Sequence, residues 1–254
     1  MSCEPIVPVT DGVREAVVVW WAPVPRVVSS GDLEVLDACE LRRVRDAGTP
    51  AVAARRAAGY LLARRAVGQV LGQEVADVVL DRTCQRCGEA HGRPRVVSDS
   101  GLHLSVTHSG GPAPGPAHDV SDPVVAVAVT RLAPVGIDLV VVAEADFDGF
   151  DTVVRHRDDV ADADAVSRAR LWARKEAVLK AVGAGLDVDP ASFPAPRPGT
   201  VSRIGPDDAA VALVDLPAVG PTRGPFGDAP RPQDALVGAV ALARAVPAVP
   251  VLFA

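Results

Sequence analysis

The sequence predicts an α+β fold in which two similar α/β subdomains, related as a pseudo-twofold duplication, enclose an active site in the cleft between them. Three observations predict it. LLARRAVGQVLG from Leu61 aligns without a gap on LWARKEAVLKAV from Leu171, sharing leucine, alanine and arginine early in the run. VVAVAVTRLAP from Val124 aligns on VGAVALARAVP from Val237, and both close on Arg, two residues and Pro. The offsets are 110 residues for the first pair and 113 for the second, so one duplication accounts for both. A period this long marks a duplicated domain rather than a solenoid. The third observation is the order of strand-like and helix-like segments, which runs twice. The expected halves are 1–133 and 134–254, and a cleft between copies is a favoured place for a ligand.

The elements follow in order. EAVVVWWA (15–22) is β-rich and bounded by Pro23 and Pro25, as a strand would be. GDLEVLDACELRRVRD (31–46) spaces Leu33, Leu36 and Leu41 for one helix with an acidic start. A longer helix follows Pro50, over 51–72, closed by Gly72. A short apolar run, 75–80, leads into the compact DRTCQRCGEAHGRPRVV. LHLSVT (102–107) alternates with period two, and the Pro/Gly-rich stretch after Ser109 reads as a loop. VVAVAV (124–129) and VGIDLVVV after Pro134 are strands of the continuously buried kind. Residues 158–180 are expected to be helical, as one helix or as two around DVADAD. The stretches 190–198 and 216–232 are expected as Pro-rich connections. ALVGAVALA (235–243) is the last long strand, and VPVLF follows in the tail.

At 254 residues with 48% hydrophobic and 23% charged residues, the chain has ordinary globular composition. Aromatics are 4%, which leaves Ala, Val and Leu to fill the core. A net charge of −6 argues against a general nucleic-acid binder, while leaving room for a local basic pocket that takes phosphates. The N-terminal residues lack the pattern of a signal peptide, and no apolar run approaches the roughly 18–20 residues that span a bilayer. A cytoplasmic protein without disulfides among Cys3, Cys39, Cys84 and Cys87 is therefore expected.

Chemistry concentrates in a few places. WARKEAVLK (172–180) holds Lys175 and Lys180, the only lysines in an arginine-rich chain. Arg168, Trp172, Glu176 and Lys180 fall four apart, so one helix face offers a cation, an indole, a carboxylate and an ammonium. A solvated face with an i,i+4 Glu–Lys pair, worth about 0.2–0.5 kcal/mol, is the plain reading. Against it, the repeat partner keeps the leucine and arginine frame but has Ala66 opposite Glu176 and Val70 opposite Lys180. The frame is fold, and the charges are not needed for it. GIDLV (136–140) sets Asp138 among apolar neighbours, where a carboxylate is costly unless paired or metal-bound. Together, Asp138 and Glu176 supply the hard oxygen ligands of half a Mg²⁺ site. Thr107, His108 and Ser109 stand at a strand end before two glycines and suit an anion such as phosphate. HGRP (91–94) adds Arg93 in a rigid turn, a bidentate phosphate clamp by chemistry. Cys84, Cys87 and His91 have the spacing of zinc ligands, with Cys39 or His103 available as a fourth. An ordinary turn that positions Arg93 is the alternative.

The ordered set HGRP, THSG, GIDLV and WARKEAVLK resembles the 4′-phosphopantetheinyl transferase superfamily, and within it the two-repeat, surfactin-synthetase-activating type. The resemblance implies transfer of phosphopantetheine from coenzyme A to a serine of an apo acyl or peptidyl carrier protein, with release of adenosine 3′,5′-bisphosphate. It implies that Asp138 and Glu176 hold Mg²⁺ on the pyrophosphate. It also implies that Arg93, Thr107, His108 and Lys180 contact the phosphates. Glu176, or a water it orients, removes the serine proton. Arg56 and Arg64 are the candidates for the adenosine bisphosphate end. Three departures stand out: Val140 replaces an acidic residue two positions after the aspartate, THS replaces SHS, and Arg93 replaces a lysine. Val140 leaves two protein carboxylates and implies a water as the remaining ligand. Asp158 or Asp159 stands near where some members place an extra glutamate base. A monomer follows from carrying both repeats in one chain, with coenzyme A and carrier proteins as partners and neither nucleic acid nor membrane. Two other readings compete. One is a Mg²⁺ phosphoesterase or pyrophosphatase that uses the same carboxylates with water as nucleophile. The other is a non-enzymatic, zinc-stabilised binding module.

Overall fold

Two sheets lie face to face, each with one long helix against its outer side. The structure is a computed structural model, and it describes residues 9–110, 123–160, 164–204, 209–219, 236–246 and 249–254. The first sheet contains β1 (Val17–Pro23), β2 (Leu80–Asp81), β3 (Arg95–Val96), β4 (His103–Ser109), β5 (Val124–Thr130) and β10 (Val251–Phe253). Its order is β10-β1-β5-β4-β3-β2, antiparallel except where β10 runs parallel to β1. The second sheet contains β6 (Val135–Val141), β7 (Val201–Ile204), β8 (Ala209–Val219) and β9 (Leu236–Leu242), in the order β6-β9-β8-β7. The helices are α1 (Val9–Glu15), α2 (Ser30–Glu34), α3 (Ala38–Arg45), α4 (Pro50–Leu71), α5 (Phe150–Val154) and α6 (Ala165–Val182). The class is α+β, as the sequence predicts. The strand orders β1-β5-β4 and β6-β9-β8 are alike, and a long helix follows the first strand in each. β10 returns from the end of the chain to the first sheet.

Strand alternation explains the layers. Val17 and Val19 of β1 face inward with Ala126, Ala128, Ile137, Leu139, Val141 and Val240, filling the space between the sheets. Val18 and Trp20 face outward onto Ala63, Ala66, Val67 and Val70 of α4. On the other side Val140, Ala239 and Ala241 meet Ala173, Ala177 and Val178 of α6. Each fully buried Val or Leu contributes about 1.5–3 kcal/mol. Gly136 sets how close α6 lies, because a Cβ there would fall inside the carbonyl oxygen of Ala177 and 2.6 Å from the Ala181 nitrogen.

The sheets are also joined by hydroxyls. β6 is an edge strand, so its outward N–H groups lack ladder partners. Ser105, Thr107 and Ser109 of β4 accept from Ile137, Leu139 and Val141 at 3.2, 3.4 and 2.7 Å. The period-two spacing of the hydroxyls thus matches that of the amides they satisfy.

Some segments differ from expectation. Residues 31–46 form two short helices, because Asp37 and Glu40 make a capping box that starts α3 inside the apolar pattern. Described residues 158–160 are not helical; α6 begins at Ala165, with Asp164 as its N-cap accepting from Ser167. The connection expected from 216 is, up to Val219, part of β8, with Pro217 inside a register shift between Leu216 and Val219. The remainder of that connection and the loop expected after Ser109 fall mostly on residues 220–235 and 111–122, outside the described residues.

Candidate active site

α6 starts at the Asp164 cap and is stopped by Gly183 in the left-handed conformation, φ 75°. Between these ends, Trp172, Glu176 and Lys180 line one cleft of about 600 Å³. Thr107 and His108 from β4 and Asp138 and Val140 from β6 line it too, with Glu144, Ala145 and Phe147 from the turn after β6. Residues from both expected halves therefore meet in it. Arg168, the fourth member of the helix stripe, turns away to Asp146 and Asp151, each at 3.6 Å.

Asp138 is 6% exposed, and its Oδ1 accepts from Thr107 Oγ1 at 2.8 Å and from Lys180 Nζ at 2.6 Å. Lys180 donates also to the Ile137 carbonyl at 3.2 Å. Glu176 is the anomaly. Its Oε1 is buried without a hydrogen-bond partner among the described residues. Its carboxyl pKa is raised, first by burial and then by the nearby charge of Asp138, with Lys180 opposing. An unsatisfied carboxylate oxygen beside a second carboxylate fits a hard divalent cation, which would satisfy the oxygen and quench the repulsion. Val140 packs into the apolar layer under α6, so it offers nothing to such an ion. Glu144 also lines the cleft, but its two oxygens already accept from Ser109, Gly110 and Val141, which leaves Asp138 and Glu176 as the carboxylates to offer a cation.

His108 is exposed at the cleft, yet its imidazole pKa is lowered, first by desolvation and next by the field of Arg55, with Lys180 adding to it. It is therefore a neutral hydrogen-bonding group at neutral pH. Ser109, within the same THS run, is buried and donates to Glu144 Oε2 at 2.5 Å, while the Gly110 N–H donates to Oε1 at 3.0 Å. Glu144 thus ties the end of β4 to the turn after β6.

Three expected phosphate contacts lie elsewhere. Arg93 braces α6 from behind, donating to the Ala181 and Val135 carbonyls, both at 3.2 Å. It lines a separate cavity of about 440 Å³ with His103. Arg64 is 3% exposed and bonded to Glu40 at 2.8 Å and to the Val78 carbonyl, which makes it a buried strut between α3 and α4. Arg56 donates to the Arg43 carbonyl at 2.6 Å and does not line the cleft. Arg55 comes near the cleft, its Nη1 3.4 Å from the Gly110 carbonyl and its charge acting on His108, though it does not line the cleft either. Sequence reasoning missed it because two adjacent arginines in an alanine-rich helix differ only in the face they take. Glu144 was missed too, as it lies beyond the strand pattern.

Lys175 is fully buried, paired with the 1%-exposed Asp159 at 2.6 Å and donating to the carbonyls of Val154, Pro190 and Phe193. It is an internal tie between α6 and the connections around it. Asp159, also accepting from the His156 and Ala195 amides, is spent on the same tie.

Residues 134–208 match the family model of the 4′-phosphopantetheinyl transferase superfamily. The match runs from β6 to just past β7 and includes Asp138, Glu176 and Lys180. None of the curated proteins searched matches the chain. Phosphopantetheinyl transfer is the class of reaction this match supports. Among the described residues no helix is long and apolar enough to cross a membrane.

Proposed function

We propose that the protein transfers 4′-phosphopantetheine from coenzyme A to a serine of an apo acyl or peptidyl carrier protein, in the manner of the two-repeat, surfactin-synthetase-activating type. The observation that carries the reading is the pairing of Asp138 with a Glu176 whose Oε1 is buried and unpartnered, within a superfamily match that spans both. The carrier serine Oγ forms a bond to the β-phosphorus of coenzyme A. The bridging P–O bond breaks, and adenosine 3′,5′-bisphosphate leaves with the bridging oxygen.

Such a transfer needs positioning and charge neutralisation more than covalent help. Asp138 and Glu176 would hold Mg²⁺, which when bound neutralises pyrophosphate charge and orients its oxygens. Lys180, part-exposed at 28%, brings a second positive charge to the same oxygens. His108 donates a hydrogen bond to a phosphate, and Thr107 fixes Asp138 through its hydroxyl. Glu176, with its raised pKa, accepts the serine proton directly or through a water it orients. Arg55 is the cation placed to meet a phosphate near His108. Arg93 and Arg64 act on the reaction only through the framework they brace.

The matching strand orders support the duplication, with halves 1–133 and 134–254 and β10 exchanged into the first sheet. A single chain that holds the whole cleft is expected to act as a monomer in the cytoplasm. The test is intact-mass analysis of apo carrier proteins of the fatty-acid, polyketide and peptide kinds with coenzyme A and Mg²⁺. A gain of one phosphopantetheine supports the reading. Release of adenosine bisphosphate without an acceptor, and with no mass gain, favours a phosphoesterase.

A further inference from the structure

Away from the cleft, the connection between β2 and β3 holds a second group of ligands. Cys84 Sγ, Cys87 Sγ and a ring nitrogen of His91 all lie within 4.8 Å of one another, the only such cluster of three or more Cys, His, Asp or Glu among the described residues. Cys87 Sγ and His91 Nε2 are 2.9 Å apart. The β2–β3 hairpin below is short, pairing Leu80 with Val96 and Asp81 with Arg95. In the connection from 82 to 94 no residue is buried, so no apolar core holds its shape.

The backbone is nevertheless tightly specified. Cys84 N–H donates to the Glu89 carbonyl at 2.7 Å, Gly88 N–H to the Cys84 carbonyl at 2.9 Å, and Gly92 N–H to the Arg82 carbonyl at 2.7 Å. Gly88, directly after Cys87, has φ 78°, which a residue with a Cβ seldom adopts. At Gly92 a Cβ would stand 2.7 Å from the Thr83 carbonyl and 2.8 Å from the Cys84 nitrogen.

We propose that Cys84, Cys87 and His91 bind a zinc ion with three protein ligands and an open fourth position. Two thiolates and an imidazole are the soft-to-borderline donor set that selects zinc over magnesium or calcium. With Zn–S near 2.3 Å and Zn–N near 2.0 Å, tetrahedral angles set S and N about 3.6 Å apart. The sulfur and nitrogen of Cys87 and His91, now 2.9 Å apart, therefore separate by about 0.7 Å on binding. Cys39 and His103 stay outside the cluster. Asp187, in the short turn that follows α6, is ion-paired with Arg86, so the zinc turn also reaches the connection after the helix that carries Glu176. The ion's role is to rigidify the turn that presents Arg93 to the Ala181 carbonyl.

The full chain, reduced and dialysed against a weak chelator, is titrated with zinc alone against a chromophoric competitor, and then with cobalt(II). One equivalent of zinc per chain and a thiolate-to-cobalt charge-transfer band are expected. Both are lost in Cys84→Ser/Cys87→Ser, while Glu176→Gln and Asp138→Asn keep them. His91→Ala, which leaves the CxxC turn intact, weakens zinc by more than about tenfold. Circular dichroism checks that each variant is folded. Failure of the reduced wild-type chain to take up zinc, or equal uptake by the folded double-cysteine variant, overturns the proposal.

Discussion

Glu176 carries a conflict between stability and function. Its pKa is raised by burial and by Asp138, so the charged form is disfavoured in the fold when no cation is present. A carboxyl whose folded pKa exceeds its unfolded value contributes stability in full below the unfolded pKa and loses it as pH rises through the folded one. Replacement by glutamine removes that loss. Glu176→Gln is expected to stabilise the metal-free protein at neutral pH by about 0.5–1 kcal/mol, with the gain vanishing under acid, as urea unfolding at several pH values would read. The same change is expected to lower transfer by about 10²–10⁴-fold. Because the proton competes with the cation for Glu176, magnesium affinity should fall as pH drops through the raised pKa, measurable by isothermal titration. Adjacent arginines separate the two faces of α4. Arg55→Ala should raise the KM for coenzyme A several-fold, while Arg56→Ala leaves it near the wild-type value.

α6 is held by contacts the sequence only half displays. The sequence sets its ends at 158 and 180 rather than at the caps Asp164 and Gly183, whereas the stripe that brings Trp172, Glu176 and Lys180 to the cleft is readable in it. The role of Lys175 is not, because its partners come from 154, 159, 190 and 193, none within a helical turn. Lys175→Met leaves the Asp159 carboxylate buried without its ion-pair partner and should cost about 3–5 kcal/mol, with a second change, Asp159→Asn, recovering part of it in chemical denaturation. Position 138 was legible as a costly carboxylate, since an apolar strand flanks it. That Ser105, Thr107 and Ser109 satisfy the edge amides of β6 was not, because period-two hydroxyls on β4 say nothing about which strand they face. Arg64 and Arg93 look like phosphate ligands by type, yet buried carbonyls and Glu40 take them up. From Leu216 the sequence reads as a connection because Pro217 signals a break, whereas β8 continues to Val219 and a bulge absorbs the proline.

At the scale of the whole molecule, the cleft is built from β4 on one sheet and from β6 and α6 on the other, so the packing between sheets sets the distance between His108 and Glu176. Gly136 sets the other distance, that between α6 and β6. Gly136→Ala must push α6 outward against the Ala177 carbonyl and is expected to lose both thermal stability and activity, whereas Gly31→Ala, with open space around it, loses neither. The central claim is that Asp138 and Glu176 serve magnesium-dependent transfer from coenzyme A to a carrier serine. Its most direct measurement is the intact mass of an apo carrier protein incubated with coenzyme A, with and without Mg²⁺, and with the wild-type chain or Glu176→Gln. The account predicts a gain of one phosphopantetheine only with wild type and metal together. No gain on any carrier of the fatty-acid, polyketide or peptide kinds, or an undiminished gain with Glu176→Gln, would contradict it.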